Sequence, residues 1–174
     1  DSSSKTKVLR SNNNLIYSGR IDKLGAAEFQ KKAFDILNDI EEDEKDNNKE
    51  INFHFTSGGG DIASGISIMN TIEELNKKIT TNCYCKGFVG SAATYGAFSC
   101  KNKFSFDNTL FLLHPPSTTI SGQTEDLRIS TNNIELWHNN ILDIYFKKCD
   151  NKCNTEVKKI FKDNKYSTSD EILK

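Results

Sequence analysis

The sequence predicts an α/β fold. Three observations carry that reading: short apolar or alternating stretches that fit strands, apolar residues recurring at three- and four-residue spacing that fit helices, and glycine-bearing turns that join one to the other. Strand, glycine turn and helix recur in that order, so the chain reads as a succession of α/β repeats.

Leu15-Ile-Tyr17 before Ser18-Gly19 reads as a short buried strand ended by a turn. From Ala26 the residues Phe29, Ala33, Ile36, Leu37 and Ile40 form one stripe of an amphipathic helix. The stripe stops at the charged run 41–50, which is expected to be a solvated connection. Ile51-Asn-Phe-His-Phe55 alternates like a strand and leads into Ser57-Gly58-Gly59-Gly60-Asp61. A helix over Ile62 to Leu75 follows, with Ile62, Ile66, Met69 and Ile72 as its apolar positions and Lys77-Lys78 suited to the negative end of its dipole.

The second repeat has a strand near Ile79–Cys85, a turn Gly87-Phe-Val-Gly90 and a small-residue helix from about Ser91 to Ser99. A third strand, Leu110-Phe-Leu-Leu113, ends at His114-Pro115-Pro116. After Gly122 comes the longest helix, with Glu125 and Asp126 in its first turn and Lys147 and Lys148 in its last. Its apolar residues Leu127, Ile134, Trp137, Ile141, Ile144 and Tyr145 cover more than one narrow stripe, so the helix is expected to pack on a second chain. Ile141 and Ile144 are expected to serve that assembly more than folding.

The 174 residues suit one domain with a real core. The 23 basic and 24 acidic residues leave a formal charge of −1, which steers the surface toward neither nucleic acid nor anionic membrane. Protein or peptide partners are expected instead. No apolar run approaches the roughly 20 residues needed to cross a bilayer. The first residues do not form a signal peptide, and the absence of an initiating Met fits either a targeting or pro-segment upstream or an excised piece of a longer chain. Cys83, Cys85, Cys100, Cys149 and Cys153 make an odd count with no histidine close in sequence, so free thiols in a reducing compartment are expected, with no metal and no cofactor. The Asn and Lys bias of Asn12-Asn13-Asn14 and Lys45-Asp-Asn-Asn-Lys49 is read as genomic A+T richness.

A glycine triplet after a strand serves as a phosphate loop, an oxyanion hole or a tight turn. No Gly-Lys-Ser/Thr follows and no G-x-G-x-x-G is present, which removes the phosphate reading. Alone the triplet is an ordinary turn, glycine being the usual residue where positive φ is needed. Three features together say more: Ser57-Gly-Gly-Gly60 after a strand, a second glycine turn opening a small-residue helix, and a strand ending in His114-x-Pro116. With Ile66-Ser-Ile68, Thr71, Gly122-Gln123 and Tyr166-x-Thr168-x-x-Glu171, the combination resembles the Clp protease proteolytic subunit over nearly the whole chain.

The resemblance implies a spiral of β-β-α repeats shared with the crotonases, with a long handle helix between stacked seven-membered rings. It implies a short arm at about 1–10, a head at about 11–115, a handle at about 116–148 and a C-terminal head segment at 149–174. Active family members use a Ser-His-Asp triad in which histidine takes the serine's proton, aspartate orients the imidazole, and backbone N–H groups hold the oxyanion. His114 matches the histidine. Gly60 matches the oxyanion glycine, with Gly90 as a second oxyanion-like backbone position.

The serine is missing. Constant spacing from Ser57 to His114 puts the nucleophile position on Val89, or on Gly90 after a one-residue slip, and neither can attack a carbonyl. A competing alignment matches Ala92-Ala-Thr-Tyr-Gly-Ala-Phe98 to the family's serine motif and puts Thr94 there, at the cost of an insertion before the turn and an equal deletion before His114. Ser91 is nearby in a different register. The acid position falls on Asn164, with Asp163 one residue away, and an amide supplies no charge to an imidazolium. The family's Leu-Gly-Gly after the histidine motif is here Ser117-Thr118-Thr119, which disfavours normal peptide docking.

These departures resemble the inactive ClpR branch found in photosynthetic bacteria and plastids. The expectation is a subunit that cuts nothing, joins active ClpP subunits in a barrel of heptameric rings, and offers docking surface to a Clp ATPase unfoldase. Its expected location is a plastid stroma of the apicoplast type, or otherwise a bacterial-type cytoplasm. The rivals are an active ATP-dependent serine/threonine-type endopeptidase using Thr94 or Ser91 with His114, and a crotonase-like acyl-CoA enzyme.

Overall fold

The structure, a computed structural model, describes residues 5–43, 49–149 and 153–172. Two compact units divide the chain: one runs up to Leu112 and includes Tyr166 onward, and the other is Leu113–Lys165.

In the first unit, strands β1 (Lys7–Ser11) and β2 (Asn14–Ser18) form a hairpin whose turn uses Asn12 at φ 51°, a conformation Asn tolerates better than most residues. Helix α1 (Lys23–Glu42) leads to β3 (Glu50–Ser57), and helix α2 (Ile62–Leu75) to β4 (Thr80–Gly90). The short helix α3 (Ala93–Ala97) is followed by β5 (Asn102–Ser105) and β6 (Leu110–Leu112). These strands and the later β7 (Tyr166–Thr168) form one seven-stranded sheet in the order β1-β2-β3-β4-β6-β7, with β5 also pairing β4. Its centre is parallel, and its first and last pairs are antiparallel. A final helical turn is α6 (Ser169–Ile172).

Alternation decides which face of each strand is inside. On β3, Ile51, Phe53, Phe55 and Ser57 are buried while Asn52 and His54 face outward. The α1 stripe of Phe29, Ala33, Ile36, Leu37 and Ile40 is buried as its spacing predicts. Tyr17, Phe29, Phe53 and Phe55 form a ring cluster with centroids 5.1–6.3 Å apart; such pairs add about 0.5–1.5 kcal/mol each beyond their burial. Helix α2 has the expected limits, but its buried face runs through Ser64, Gly65, Ile68, Met69 and Ile72 rather than Ile62 and Ile66. Small residues carry that face because α3 comes close: a Cβ on Gly65 would lie 2.6 Å from the Ala92 carbonyl.

The second unit contains α4 (Thr124–Lys148) and α5 (Asn154–Asp163). Helix α4 has the expected acidic first turn and basic last turn. Its burial corrects the expectation for Ile141 and Ile144. Both are buried, as is Tyr145, and the rings of His138 and Tyr145 meet Phe161 of α5 at 5.2 and 5.9 Å. The exposed apolar residues of α4 are instead Leu127, Ile129, Leu136 and Trp137.

Two expectations give way. The turn predicted at 87–90 is the end of β4, which runs on to Gly90. The cysteines are not all free thiols. Cys83 is joined to Cys100 with Cα atoms 5.6 Å apart, while Cys149 and Cys153 stand near each other with Cα atoms 6.0 Å apart. Spacing could not reveal the first pair, because folding brings the middle of β4 beside the exit of α3. Cys85 stays free and buried, and burial pushes its thiol up to about 12. Half of the charged run predicted as a connection, residues 44–48, lies outside the described residues, while Glu41 and Glu42 end α1 and Glu50 opens β3.

Candidate functional site: the glycine loop and the strand-to-helix elbow

The glycine loop begins where β3 ends. Gly59 N–H donates to Ser57 Oγ at 3.1 Å, Ile21 N–H donates to the Gly59 carbonyl at 2.9 Å, and Asp61 N–H donates to the Ile21 carbonyl at 2.9 Å. Asp61 then caps α2 by accepting from Ser64 N–H at 2.9 Å, the usual use of an N-cap carboxylate. Hydrogen bonding from Ser64 holds that carboxyl below its ordinary value. Gly59 has φ 97°, and a Cβ there would lie 2.5 Å from Ser91 Cβ and 2.6 Å from the Gly90 carbonyl. The loop therefore rests directly on the elbow between β4 and α3, a closeness that only glycine permits.

The elbow has its own constraint. Ser91 takes φ 52° and donates its N–H to the Leu112 carbonyl at 2.7 Å. Non-glycine residues held at positive φ concentrate at sites where the fold over-determines them. Ser91 is half-exposed, and its hydroxyl has no hydrogen-bond partner among the described residues.

Val89 and Gly90 do not lie on the turn. They are the last two residues of β4, paired with Phe111 and Leu112, and Val89 is fully buried. The reason is a register step: Phe55 pairs with Cys85, but Ser57, two residues on, pairs with Val89, four residues on. Strand β4 thus holds two more residues than β3 over this span, with Gly87 at φ 65° inside the step. Constant spacing counts through this step as if it were regular strand. The step also supplies part of the insertion that the Thr94 alignment requires.

Thr94 stands in the first turn of α3. It is fully buried, and its Oγ1 donates to the Ser91 carbonyl at 2.6 Å while its N–H donates to the same oxygen at 3.0 Å. A helical hydroxyl commonly makes such a bond to the preceding turn.

His114 and Asn164 belong to the second unit. His114 is half-buried in the irregular stretch before α4. Asn164 ends α5 with φ 49° and ψ 43°, its N–H donating to the Ile160 carbonyl at 3.2 Å, and Asp163 is the last residue of that helix. A left-handed C-cap is a place where Asn is favoured on structural grounds, a signal available from the sequence and not used. Likewise Thr168-x-x-Glu171 caps α6, with Thr168 N–H donating to Glu171 Oε2 at 2.8 Å.

The outward sheet face carries two cross-strand rows that sequence reasoning missed. Register aligns Leu9, Ile16, His54, Tyr84 and Phe104 across β1 to β5, with His54 stacked on Tyr84 at 5.0 Å and Tyr84 on Phe104 at 4.9 Å. Beside it runs a row of asparagines, Asn14, Asn52, Asn82 and Asn102. In that row Asn82 Nδ2 donates to Asn52 Oδ1 at 2.9 Å, and Asn102 Nδ2 to Asn82 Oδ1 at 2.8 Å. Asn14 Oδ1 links the rows, lying 3.0 Å from His54 Nε2.

Burial, and secondarily Lys86, lowers the His54 pKa from its ordinary 6.5, and Nδ1 is buried without a hydrogen-bond partner. The unfolded chain therefore binds a proton here before the folded one does, so stability should fall as pH drops below 6.5. Thermal melts between pH 7 and 5 should show His54→Phe losing less Tm than the unaltered chain, and equal slopes would refute the assignment.

A glycine loop seated against a strand-to-helix elbow in a mixed, largely parallel sheet defines an α/β protein. The fold is similar to that of an Asn-to-Asp point mutant of ClpP1 from Listeria monocytogenes, with a TM-score of 0.72 over 92% of this chain and 85% of that one, at 19% identity. The Clp protease family profile matches residues 6–174, and the chain belongs to that family. Among its relatives is the ATP-dependent Clp protease proteolytic subunit of Carsonella ruddii (strain PV), 28% identical over 120 residues. That match covers 69% of this chain and 60% of the relative's length. The crotonase-like acyl-CoA reading is set aside by the family match.

Proposed function

We propose that this chain is a non-catalytic, ClpR-like subunit of an ATP-dependent Clp protease core. It builds ring wall together with active ClpP subunits and contributes docking surface for a Clp ATPase unfoldase. One observation carries the proposal: Thr94, the hydroxyl in the family's serine motif, is sealed from solvent and donates to the Ser91 carbonyl. Beside it, Val89 is core and Gly90 has no side chain. Asn164, at the acid position, serves as a helix cap. The apolar row on the outward sheet face supports the docking role, since an exposed contiguous apolar surface marks an interaction site. The exposed apolar residues of α4 support assembly into rings, heptameric in the family's manner. The proposed setting is a plastid of the apicoplast type, or otherwise a bacterial-type cytoplasm.

A second reading has one observation in its favour. Ser91, half-exposed at an elbow with positive φ, has the backbone setting that presents nucleophiles in strand-to-helix turns. The test is co-expression with the cell's active Clp subunit, native mass measurement, and treatment of the complex with a fluorophosphonate probe. Mixed rings in which only the partner is labelled support the non-catalytic reading. Labelling of this chain that Ser91→Ala removes would replace it with the active one.

A further inference from the structure

Phe88 is the last residue of the register step in β4, between Gly87 and Val89. Its neighbour Val89 and the paired Phe111 point into the core, so Phe88, Gly90 and Leu112 share the opposite face. Phe88 is half-exposed. A Cβ on Gly58 would meet only this ring, with Cε1 at 3.3 Å and Cδ1 at 3.8 Å. A Cβ on Gly90 would meet its Cζ at 2.8 Å, ahead of Leu112 Cβ at 3.3 Å and the Gly58 carbonyl at 3.4 Å. The ring thus bridges two glycines, one from the glycine loop and one from the strand that enters the elbow. Tyr166 supports it from β7, with centroids 5.6 Å apart and planes tilted by 49°.

We infer that Phe88 is a built-in plug, whose ring occupies the surface over Gly58 and Gly90 that the acyl part of a peptide would need to reach the glycine loop. The site is closed by bulk as well as by the loss of a nucleophile. The inference deepens the non-catalytic reading of this loop and rests on it for its meaning, whereas the position of the ring is measurable without any turnover. It also explains the residue at 90: any side chain there competes with the ring for the same space, so a serine restored by Gly90→Ser would have to displace Phe88 first.

The experiment places a thiol under the ring. Gly58→Cys, at a position with no positive φ, is treated with N-ethylmaleimide in the full folded chain, and modification at position 58 is followed by peptide mass. With Phe88 present labelling should be slow. In Gly58→Cys/Phe88→Ala it should be faster by about tenfold, since thiol reactivity follows access. Equal rates in the two backgrounds overturn the plug. Should Phe88→Ala fail to fold, Phe88→Leu keeps most of the bulk and NMR gives the answer. In the unaltered chain the Gly58 and Gly90 Hα resonances should be shifted upfield by the ring, and they should return downfield in Phe88→Leu. Unshifted resonances in the unaltered chain overturn the inference equally. Neither readout depends on Ser91, so fluorophosphonate labelling of Ser91 would defeat the non-catalytic reading while leaving the ring position to these measurements.

Discussion

The purified chain is expected to release no fluorophore from short peptides and no fragments from casein under conditions in which an active Clp subunit turns over. On the proposed non-catalytic reading, two deficits act together. No hydroxyl in the serine motif is free to attack, because Thr94 is buried and bonded to the Ser91 carbonyl. Asn164, which the resemblance puts at the acid position, is an amide, and an aspartate-to-asparagine change in a serine-protease triad lowers kcat by about 10⁴. Thr94→Ser alone should therefore not restore turnover, nor should Asn164→Asp alone. Val89→Ser should fail for a different reason, since it removes buried apolar volume from β4 and leaves a hydroxyl in the core. Peptide hydrolysis within tenfold of an active subunit, abolished by Ser91→Ala, would sink the expectation.

Ile141→Glu is expected to unfold the second unit, while Leu136→Glu leaves folding intact and weakens assembly. Ile141 is fully buried, on the face of α4 that also carries His138 and Tyr145. An unpaired carboxylate left there costs about 3–5 kcal/mol, a large part of a small unit's stability. Leu136 is 69% exposed, so its replacement should change stability by no more than about 0.5 kcal/mol. Far-ultraviolet circular dichroism and thermal melts read the first effect, and native mass or sedimentation reads the second. If Ile141→Glu melts normally, or if Leu136→Glu assembles as the unaltered chain does, the division of this helix into a folding face and an assembly face is wrong.

Much of the fold was legible because one-face burial writes its period into the sequence. The α1 stripe, the alternation of β3, the limits of α2 and the charged ends of α4 follow directly from spacing. What escaped depends on register or on distant neighbours. Strands β5 and β7, four and three residues long, carry too little pattern to stand out. Asn52, Asn82 and Asn102 are ordinary polar residues until parallel pairing places them side by side. The same limit affected the candidate site. Counting from Ser57 to Val89 assumed a regular strand where β4 steps by two residues. The cysteine spacing likewise held no trace of the contact between β4 and the end of α3.

That step in β4 has a consequence for how such a chain tolerates change. Before Lys86-Gly87 the strand pairs with β5, and after it with β6. Both step residues are exposed, so extra chain length entering β4 is taken up at the surface, like slack in a line, before it reaches the elbow. The elbow before α3 keeps its seat against the glycine loop through Gly59, and α3 against α2 through Gly65. A change of length in this strand can therefore leave the backbone around the elbow closing in the same way.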